Sequence, residues 1–476
     1  MEKKNDSHMS KTLRGLTLSN IAKACGGTYR GAPELLKKEI TGAVIDSRQV
    51  KEGYLFIPIK GARVDGHDFI PQVFAQGALA VLSEHELQQP LPYILVDSSR
   101  EAMKKIAAFY RSQLSCRVVG ITGSVGKTST KEMIASVLSQ HYQVLKTEGN
   151  FNNEIGLPLT IFKIRDQHEA AVLEMGISDF GEMHRLAAMS QPDIGVITNI
   201  GLCHLENLGD RDGILKAKTE MFDHLQPGGT VILNGDDDKL CTKVEVNGRP
   251  VVFYGIGEQS RFENTKSIYA DNVKNLGLKG MQAEIHTPAG SFTARIPIPG
   301  EHNVYNALAG TAVGLALGLS LEEIEKGIAA AKTISGRANI LHVNGMTIID
   351  DCYNANPVSM KASIDVLAHI PGRKIAVLGD MGELGPDERA LHHGVGDAVA
   401  QSGIDALFCA GTLAREYADA AAANPSCDIH YFKTREEMMP QLLAYVREGD
   451  NILVKASHFM EFPAVVEALV QRIISN

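Results

Sequence analysis

No apolar run in this 476-residue chain is long enough to span a bilayer, which excludes a transmembrane helix. The first ten residues, Met1 to Ser10, are polar and lack the apolar centre of a secretory signal; they read as a disordered arm. Cysteine is sparse and scattered. Cys25, Cys116, Cys203, Cys241, Cys352, Cys409 and Cys427 make an odd number, and none forms a Cys-x-x-Cys pair. That argues against a disulfide framework and a cysteine-ligated zinc site, and fits a reducing cytoplasm. Positive charge is also short, with 47 Lys and Arg against 56 Asp and Glu, a net charge of −9. There is no basic footprint for nucleic acid. Anionic small molecules stay open, because local loops decide their binding. What remains, 44% hydrophobic and 22% charged, is an ordinary soluble globular composition. The length suggests about two to four domains.

Three regions separate. Residues 1–113 begin with a helix-like stretch, Leu18 to Ala24, followed by short strand-like runs at Ala43–Ile45, Tyr54–Pro58 and Ala80–Leu82. This predicts a small α+β domain, and Ser112 to Ser115 offers a mostly polar joint. Residues 114–333 alternate β-rich runs (Ala171–Met175, Val196–Ile200, Val231–Asn234, Val251–Tyr254) with helical stretches. That predicts a mostly parallel sheet covered by helices. Ala283–His286 and Ser291–Ile298 suggest an antiparallel ribbon, and His302 to Leu317 an alanine-rich helix. Residues 334–476 repeat the alternation. Strands are expected at Thr347–Ile349, Lys374–Leu378, Ala406–Cys409 and Ile452–Lys455, with helices at Ser359–Leu367, His392–Ser402 and Leu413–Ala423. This reads as a second, doubly wound α/β domain. The expected fold class is therefore α/β in three domains, with a P-loop ATPase-like middle and a Rossmann-like end.

The sharpest local signal is Gly120-Ile-Thr-Gly-Ser-Val-Gly-Lys-Thr-Ser-Thr130, directly after Val118-Val119. It reads as strand, glycine-rich turn and helix start. Gly123, Ser124, Val125, Gly126, Lys127, Thr128 and Ser129 would present backbone N–H groups and the positive end of a helix dipole to a phosphate. Lys127 would reach the β- and γ-phosphates, and the Thr128 hydroxyl would ligate Mg²⁺. Met133, Ile134, Val137 and Leu138 supply the apolar stripe of the helix. The alternative is a plain strand-to-helix turn. Ile121 stands where the strict loop has a glycine, and the shorter form points to a narrower set of ligases.

Other polar groups stand at the expected strand ends, where open α/β sheets bind ligands. Glu174 ends one strand and is either a Mg²⁺ ligand or a solvated carboxylate. His204, in Thr198–Glu206, follows another and is either structural or a metal ligand. Lys216 and Lys218 lie on a helix ending near His224. They serve charge neutralisation or, less commonly, carbamylation, in which the amine adds CO₂ and becomes an anionic oxygen ligand. Asn303 and Asn306 open the alanine-rich helix and would either meet an adenine edge or, for Asn303, cap the helix. Asp350–Pro357 and Gly379–Gly385 are acidic loops after successive strands, and read equally as ligand loops or as turn chemistry.

Together these residues resemble the Mur ligases. The resemblance spans all three regions through the phosphate loop, Asn150-Phe-Asn-Asn-Glu-Ile-Gly-Leu-Pro158, Glu174, His204, Lys218, His302 to Asn306, Arg337 and Lys455-Ala-Ser-His458. Asp351-Cys-Tyr-Asn-Ala-Asn-Pro357 and Leu378-Gly-Asp-Met381 resemble the family member that acts last. Cys352 replaces a usual serine and Ala456 a usual glycine. The Asp-Asn-Pro-Arg signature of the member adding the third amino acid is absent.

The resemblance implies an ATP-dependent amide-bond ligase joining D-alanyl-D-alanine to UDP-N-acetylmuramoyl-tripeptide through an acyl phosphate. It implies Mg²⁺ on Thr128 and Glu174, and a second ion on His204 and carbamylated Lys218. Lys127, His204 and Lys218 would be the catalytic groups. ATP would meet the phosphate loop, Asn303, Asn306, Arg337 and Asp351, with the last domain closing on the middle one. Ser47 and Arg48, in Ile45-Asp-Ser-Arg48, and Asp65-Gly-His67 resemble the part that binds the uridine end. Asn150, Asn152, Asn153, Tyr353, Asn354 and Asn356 would complete the substrate sites. The protein is expected as a cytoplasmic monomer. Alternatives on the same scaffold are a folylpolyglutamate synthetase-like or other amino-acid ligase, or an inactive nucleotide-binding paralogue. An inactive paralogue should have lost Lys127, Glu174, His204 or Lys218, and none is lost.

Overall fold

A computed structural model describes residues 12–257, 268–343 and 345–474. The Met1–Ser10 arm lies outside the described residues. The chain packs into two compact units. One comprises Met1–Thr122, His141–Val196 and Lys218–Val231; the other comprises Gly123–Gln140, Ile197–Ala217 and Ile232–Asn476.

In the first unit, the helix Leu18–Cys25 starts on a Thr17 hydroxyl that accepts from Asn20 N, and stops at Gly26 in the left-handed region. The expected strands form as Gly42–Val44, Tyr54–Phe56 and Ala80–Ser83. Two further strands, Tyr93–Leu95 and Thr28–Arg30, complete a five-stranded sheet. All neighbours run parallel except the last pair. Phe56, Ile70, Val73, Val81 and Tyr93 form its core. The helix Ser99–Ser112, capped by Ser98, ends at the predicted joint. Beyond it, Arg117–Thr122, Ala170–Glu174 and Val144–Lys146 pair in parallel. The strand Ala170–Glu174 is buried throughout, as an interior parallel strand should be.

In the second unit, the helix Lys127–Leu138 packs beneath the helices His302–Ala316 and Leu321–Ala329. Gly327 lets the last one approach closely, since a Cβ there would strike the Val137 backbone. The antiparallel ribbon is present as Ile268–Asn275, Met281–Thr287 and Gly290–Ile296.

The last sheet has six strands in the order Asn339–Val343, Met346–Asp350, Asn451–Lys455, Lys374–Gly379, Ala406–Ala410 and Asp428–Phe432. The first pair is antiparallel and the rest are parallel. Met360, Ile364, Leu367, Val395, Val399 and Tyr417 cover one face. Met438, Leu442, Val465 and Leu469 cover the other, which makes the sheet doubly wound. Among the described residues, no helix is long and apolar enough to cross a membrane.

Candidate functional site

The phosphate loop has the backbone its glycines predict. Gly123 has φ 150° and Gly126 φ 82°. At Gly123 a side chain is also sterically impossible, because a Cβ would collide with the Thr198 hydroxyl. The segment after the next strand clamps the loop. Thr198 Oγ1 donates to Val125 O at 2.7 Å, and Asn199 Oδ1 accepts from Val125 N at 2.9 Å. Ser124 N donates to Asn199 O at 3.1 Å, and Gly201 N donates to Ser124 Oγ at 2.9 Å. That clamp is itself held, since Asp237 Oδ2 accepts from Ile200 N at 2.8 Å and Asn234 Nδ2 donates to Thr198 O at 3.1 Å. The ammonium of Lys127 folds over the loop and donates to Gly123 O at 2.8 Å. Thr128, one residue into the helix, is buried.

Asn303 and Asn306 are buried, and Asn303 does not cap its helix. Asn303 Nδ2 donates to Pro299 O at 2.7 Å, and its Oδ1 accepts from Asn306 Nδ2 at 2.8 Å. Asn306 Oδ1 then accepts from Thr130 Oγ1 at 2.6 Å. The pair is a polar relay onto the helix that carries the phosphate loop. Ser129, Asn303, His302, Ile298, Lys332 and Arg337 line one pocket. Three predicted ATP residues therefore meet around a single concavity with a cationic side.

Arg337 lies with its guanidinium carbon 4.2 Å from the Tyr353 ring centroid, a cation–π contact. His458 meets the other part of that ring edge-on at 5.9 Å. Asp351 is tightly engaged inside the fold. Its Oδ2 lies 2.6 Å from Lys455 Nζ and accepts from Ser363 Oγ at 2.5 Å, and its Oδ1 accepts from Ala338 N at 3.1 Å. Asp350 Oδ2 accepts from Gly336 N at 2.8 Å. Two adjacent carboxylates thus shape the turn that carries Arg337.

Lys455 also donates to Asn354 O at 3.0 Å, which fixes the loop. Asn356 Oδ1 accepts from Ser359 N at 2.9 Å, so Asn356 caps the helix Pro357–Ala368. Asn354 is exposed. The neighbouring loop is held by Ser457 Oγ, which accepts from Gly382 N at 2.9 Å, and by His392 Nε2, which accepts from Met381 N at 2.9 Å. His204 sits at φ 51°, with Nδ1 3.1 Å from Glu383 Oε2.

In the first unit, Glu174 is 2% exposed and accepts at Oε1 from Asn152 Nδ2 at 2.9 Å. Asn153 Oδ1 accepts from Ile155 N and Gly156 N, which starts the helix Gly156–Ile161. Asn150 is exposed, and its carbonyl accepts from Asn152 N at 2.7 Å. Lys218 is 1% exposed. Ser47 is buried, whereas Arg48 is exposed and forks onto the carboxylate of Asp46 at 2.9 and 2.8 Å. That contact holds the Asp46 carboxyl below its usual range. His67 Nδ1 lies 2.7 Å from Asp65 Oδ1, and its Nε2 accepts from Glu84 N at 3.2 Å.

Sequence reasoning missed Asn199, Asp237, Ser363 and His392. Asn199 had a signal, since it follows a strand within the quoted Thr198–Glu206 run. The others act by contacts 11, 12 and 37 residues away in the chain, beyond the reach of a local motif.

Three family models match the chain: the Mur ligase family catalytic domain over residues 39–111, the Mur ligase middle domain over 121–314, and the Mur ligase glutamate ligase domain over 336–458. The chain is similar to the UDP-N-acetylmuramoyl-tripeptide–D-alanyl-D-alanine ligase of Bacillus subtilis strain 168. Identity is 36% over 466 residues, covering 96% of this chain and 99% of that protein. A crystal structure of MurF from Acinetobacter baumannii aligns with TM-score 0.86 and 33% identity, covering 96% of this chain and 98% of that one. MurF ligase from Thermotoga maritima in complex with ADP aligns with TM-score 0.80 and 30% identity, covering 91% and 98%.

Proposed function

The chain belongs to the Mur ligase family, and on that premise we infer that it is the ATP-dependent ligase that joins D-alanyl-D-alanine to UDP-N-acetylmuramoyl-tripeptide in peptidoglycan precursor synthesis. The observation that carries the acceptor is the 36% identity over nearly the whole chain to a ligase of that name. The observation that carries ATP is the clamped phosphate loop, together with the pocket that joins Ser129, Asn303 and Arg337.

The chemistry is acyl activation. The terminal carboxylate of the tripeptide attacks the γ-phosphorus of ATP, giving an acyl phosphate and ADP. The amine of D-alanyl-D-alanine adds to the acyl carbon, and the tetrahedral intermediate expels phosphate as the amide forms. Negative charge accumulates at the transferring phosphoryl group. Loop N–H groups and the Lys127 ammonium neutralise it from fixed positions. Lys127 is already oriented over the loop by Gly123 O, so little reorganisation is needed. Arg337, braced on Tyr353, supplies a second cation toward ATP.

The donor types suit Mg²⁺: the Thr128 hydroxyl and the buried Glu174 carboxylate for one ion, His204 and a Lys218 carbamate for the other. When bound, the ions add Lewis-acid charge at the phosphoryl oxygens. Lys218 is buried, and its carbamylation would proceed from the neutral amine, the form that adds CO₂. Ser47 and Arg48 with His67 take the uridine end, and Asn150, Asn152 and Asn153 the sugar-peptide part. Asp351 acts toward ATP through the turn it shapes. The family matches support domain limits of 1–113, 114–333 and 334–476. The protein would act as a monomer in the cytoplasm; cysteines that are all free among the described residues support the reducing compartment alone.

The deciding experiment measures ADP release by purified protein with UDP-N-acetylmuramoyl-tripeptide, with and without D-alanyl-D-alanine. Release dependent on both substrates supports the reading. Release unaffected by the dipeptide defeats it.

A further inference from the structure

The ribbon Ile268–Asn275, Met281–Thr287 and Gly290–Ile296 carries a second cluster of ligating side chains, none of which lines the nucleotide pocket. Its antiparallel register sets Asp271 opposite Glu284, and Tyr269 opposite His286. Residues two apart on a strand share a face, so Asp271, Glu284 and His286 project from one side of the ribbon. One ring nitrogen of His286 and one carboxylate oxygen from each of the other two lie within 4.8 Å of one another.

The imidazole is held for this arrangement from two directions. Its Nδ1 lies 2.8 Å from Ser291 Oγ, and Ser291 is its register partner on the next strand. Its ring stacks on Tyr269 with centroids 4.7 Å apart. Both contacts fix the plane of the ring and direct Nε2 toward the carboxylates, 3.1 Å from Asp271 Oδ1. That nitrogen is screened from solvent, with the Asp271 carboxylate as its neighbour. The Ser291 hydroxyl on the other ring nitrogen fixes the orientation of the imidazole, as a hydrogen-bonded neighbour does for metal-bound histidines.

We propose that Asp271, Glu284 and His286 form a site for a zinc-class divalent cation that staples the first two strands of the ribbon. One imidazole nitrogen with two carboxylate oxygens is a three-ligand zinc set, water taking the fourth position. Mg²⁺ and Ca²⁺ favour oxygen ligands, so a nitrogen beside two carboxylates shifts the preference toward a transition metal, which the excess of Mg²⁺ in the titration tests. Ligand atoms about 2.0–2.1 Å from a tetrahedral ion stand roughly 3.4 Å apart, so the side chains must close by about 1.5 Å at most. The side chains of Asp271 and His286 are 42% and 22% exposed, which leaves room for that movement and for the water.

The test uses the full chain, stripped with a chelator and then saturated with Mg²⁺. Zn²⁺ is titrated by calorimetry, and Co²⁺ by its visible absorption. One equivalent that survives excess Mg²⁺ is expected, with a tetrahedral cobalt spectrum. H286A and E284Q should each weaken it at least tenfold while leaving ligase activity unchanged, and K127M should keep it. Zn²⁺ should raise the melting temperature of the parent protein and not that of the two ribbon variants. E284Q conserves shape and decides the matter if H286A fails to fold. Absence of a Mg²⁺-resistant equivalent, or its retention at full affinity in E284Q, overturns the proposal and leaves an imidazole–carboxylate pair.

Discussion

His204 Nδ1 lies 3.1 Å from Glu383 Oε2, and both residues adopt positive φ, 51° and 60°. Neither is glycine, so each holds a backbone conformation that non-glycine residues seldom adopt. Glu383 belongs to the turn after the strand Lys374–Gly379, in a loop proposed to face the acceptor, whereas His204 is proposed as a metal ligand. A carboxylate on one ring nitrogen orients the other and raises its basicity as a ligand.

Glu383→Ala should therefore raise the Mg²⁺ concentration needed for half-maximal ADP formation by about tenfold. Folding stability should hardly change, because the Glu383 side chain is 75% exposed and exposed ion pairs contribute about 0–1 kcal/mol. Mg²⁺ titration of the rate, with a urea melt alongside, checks both parts. An unchanged Mg²⁺ requirement would reduce the contact to a surface ion pair.

Lys127→Met removes the ammonium that lies 2.8 Å from Gly123 O but keeps most of the bulk. The variant should fold normally and lose activity by roughly a hundredfold or more, as other fixed electrostatic groups do. Circular dichroism and ADP release decide this. Near-normal turnover would end the phosphate-loop assignment.

Lys218→Ala should cripple activity, and small carboxylates such as acetate should restore part of it. The residue is 1% exposed, so the substitution leaves a cavity into which such an anion fits. Rescue by carboxylate, with no rescue by amines, identifies an anionic oxygen as the missing group. Full activity in Lys218→Arg would instead make the residue a plain cation.

His392 gives a pH prediction. It is fully buried, its Nδ1 lies 2.6 Å from Glu388 O, and its Nε2 accepts from Met381 N. The neutral tautomer with hydrogen on Nδ1 satisfies both bonds. Burial, the largest influence, moves its pKa below the ordinary 6.5. The unfolded chain then binds a proton that the folded one refuses. This contribution to stability is complete above about pH 6.5 and falls as pH drops toward the folded value, by at most about 1.4 kcal/mol per pH unit. Urea denaturation between pH 7.5 and 5.5 should show the decline, and His392→Gln should flatten it. An equal slope in the variant would assign the proton uptake to other groups.

The parts of this fold legible in the sequence were those with a strict local requirement. At Gly123 a Cβ would collide with Thr198, and buried parallel strands such as Ala406–Ala410 are continuous apolar runs. The strand Asp428–Phe432 was missed because it is polar and half-buried at an edge. The helix Arg435–Tyr445 was missed because Pro440 lies inside it. The candidate site residues were read from motifs, but their contacts were not legible there. Asn303 read either as an adenine contact or as a cap; it does not cap its helix, because Pro299 O and Asn306 surround its amide and make it a relay. Asp351 meets Lys455 across 104 residues of chain, a separation that local patterning does not encode.

The acceptor should be a dipeptide. The loops Asp351–Pro357 and Gly379–Gly385 follow strands flanking the same central strand, Asn451–Lys455, so they emerge side by side. Lys455, the last residue of that strand, and Ser457, just past it, fix one loop each through Asn354 O and Gly382 N. A rigid pair of loops selects by shape and by the free carboxylate of its ligand, as preorganised sites do. With UDP-N-acetylmuramoyl-tripeptide and ATP, D-alanyl-D-alanine should give a product heavier by the dipeptide minus water, while single L-amino acids give little. Tyr353→Ala removes both the ring under Arg337 and a wall beside His458. It should raise KM for the dipeptide about tenfold, a loss of about 1.4 kcal/mol, and raise KM for ATP as well. Mass spectrometry of the product and steady-state kinetics read these outcomes. Efficient addition of one amino acid to a shorter UDP-linked peptide, or of glutamate to a folate, would move the chain to another branch of the family.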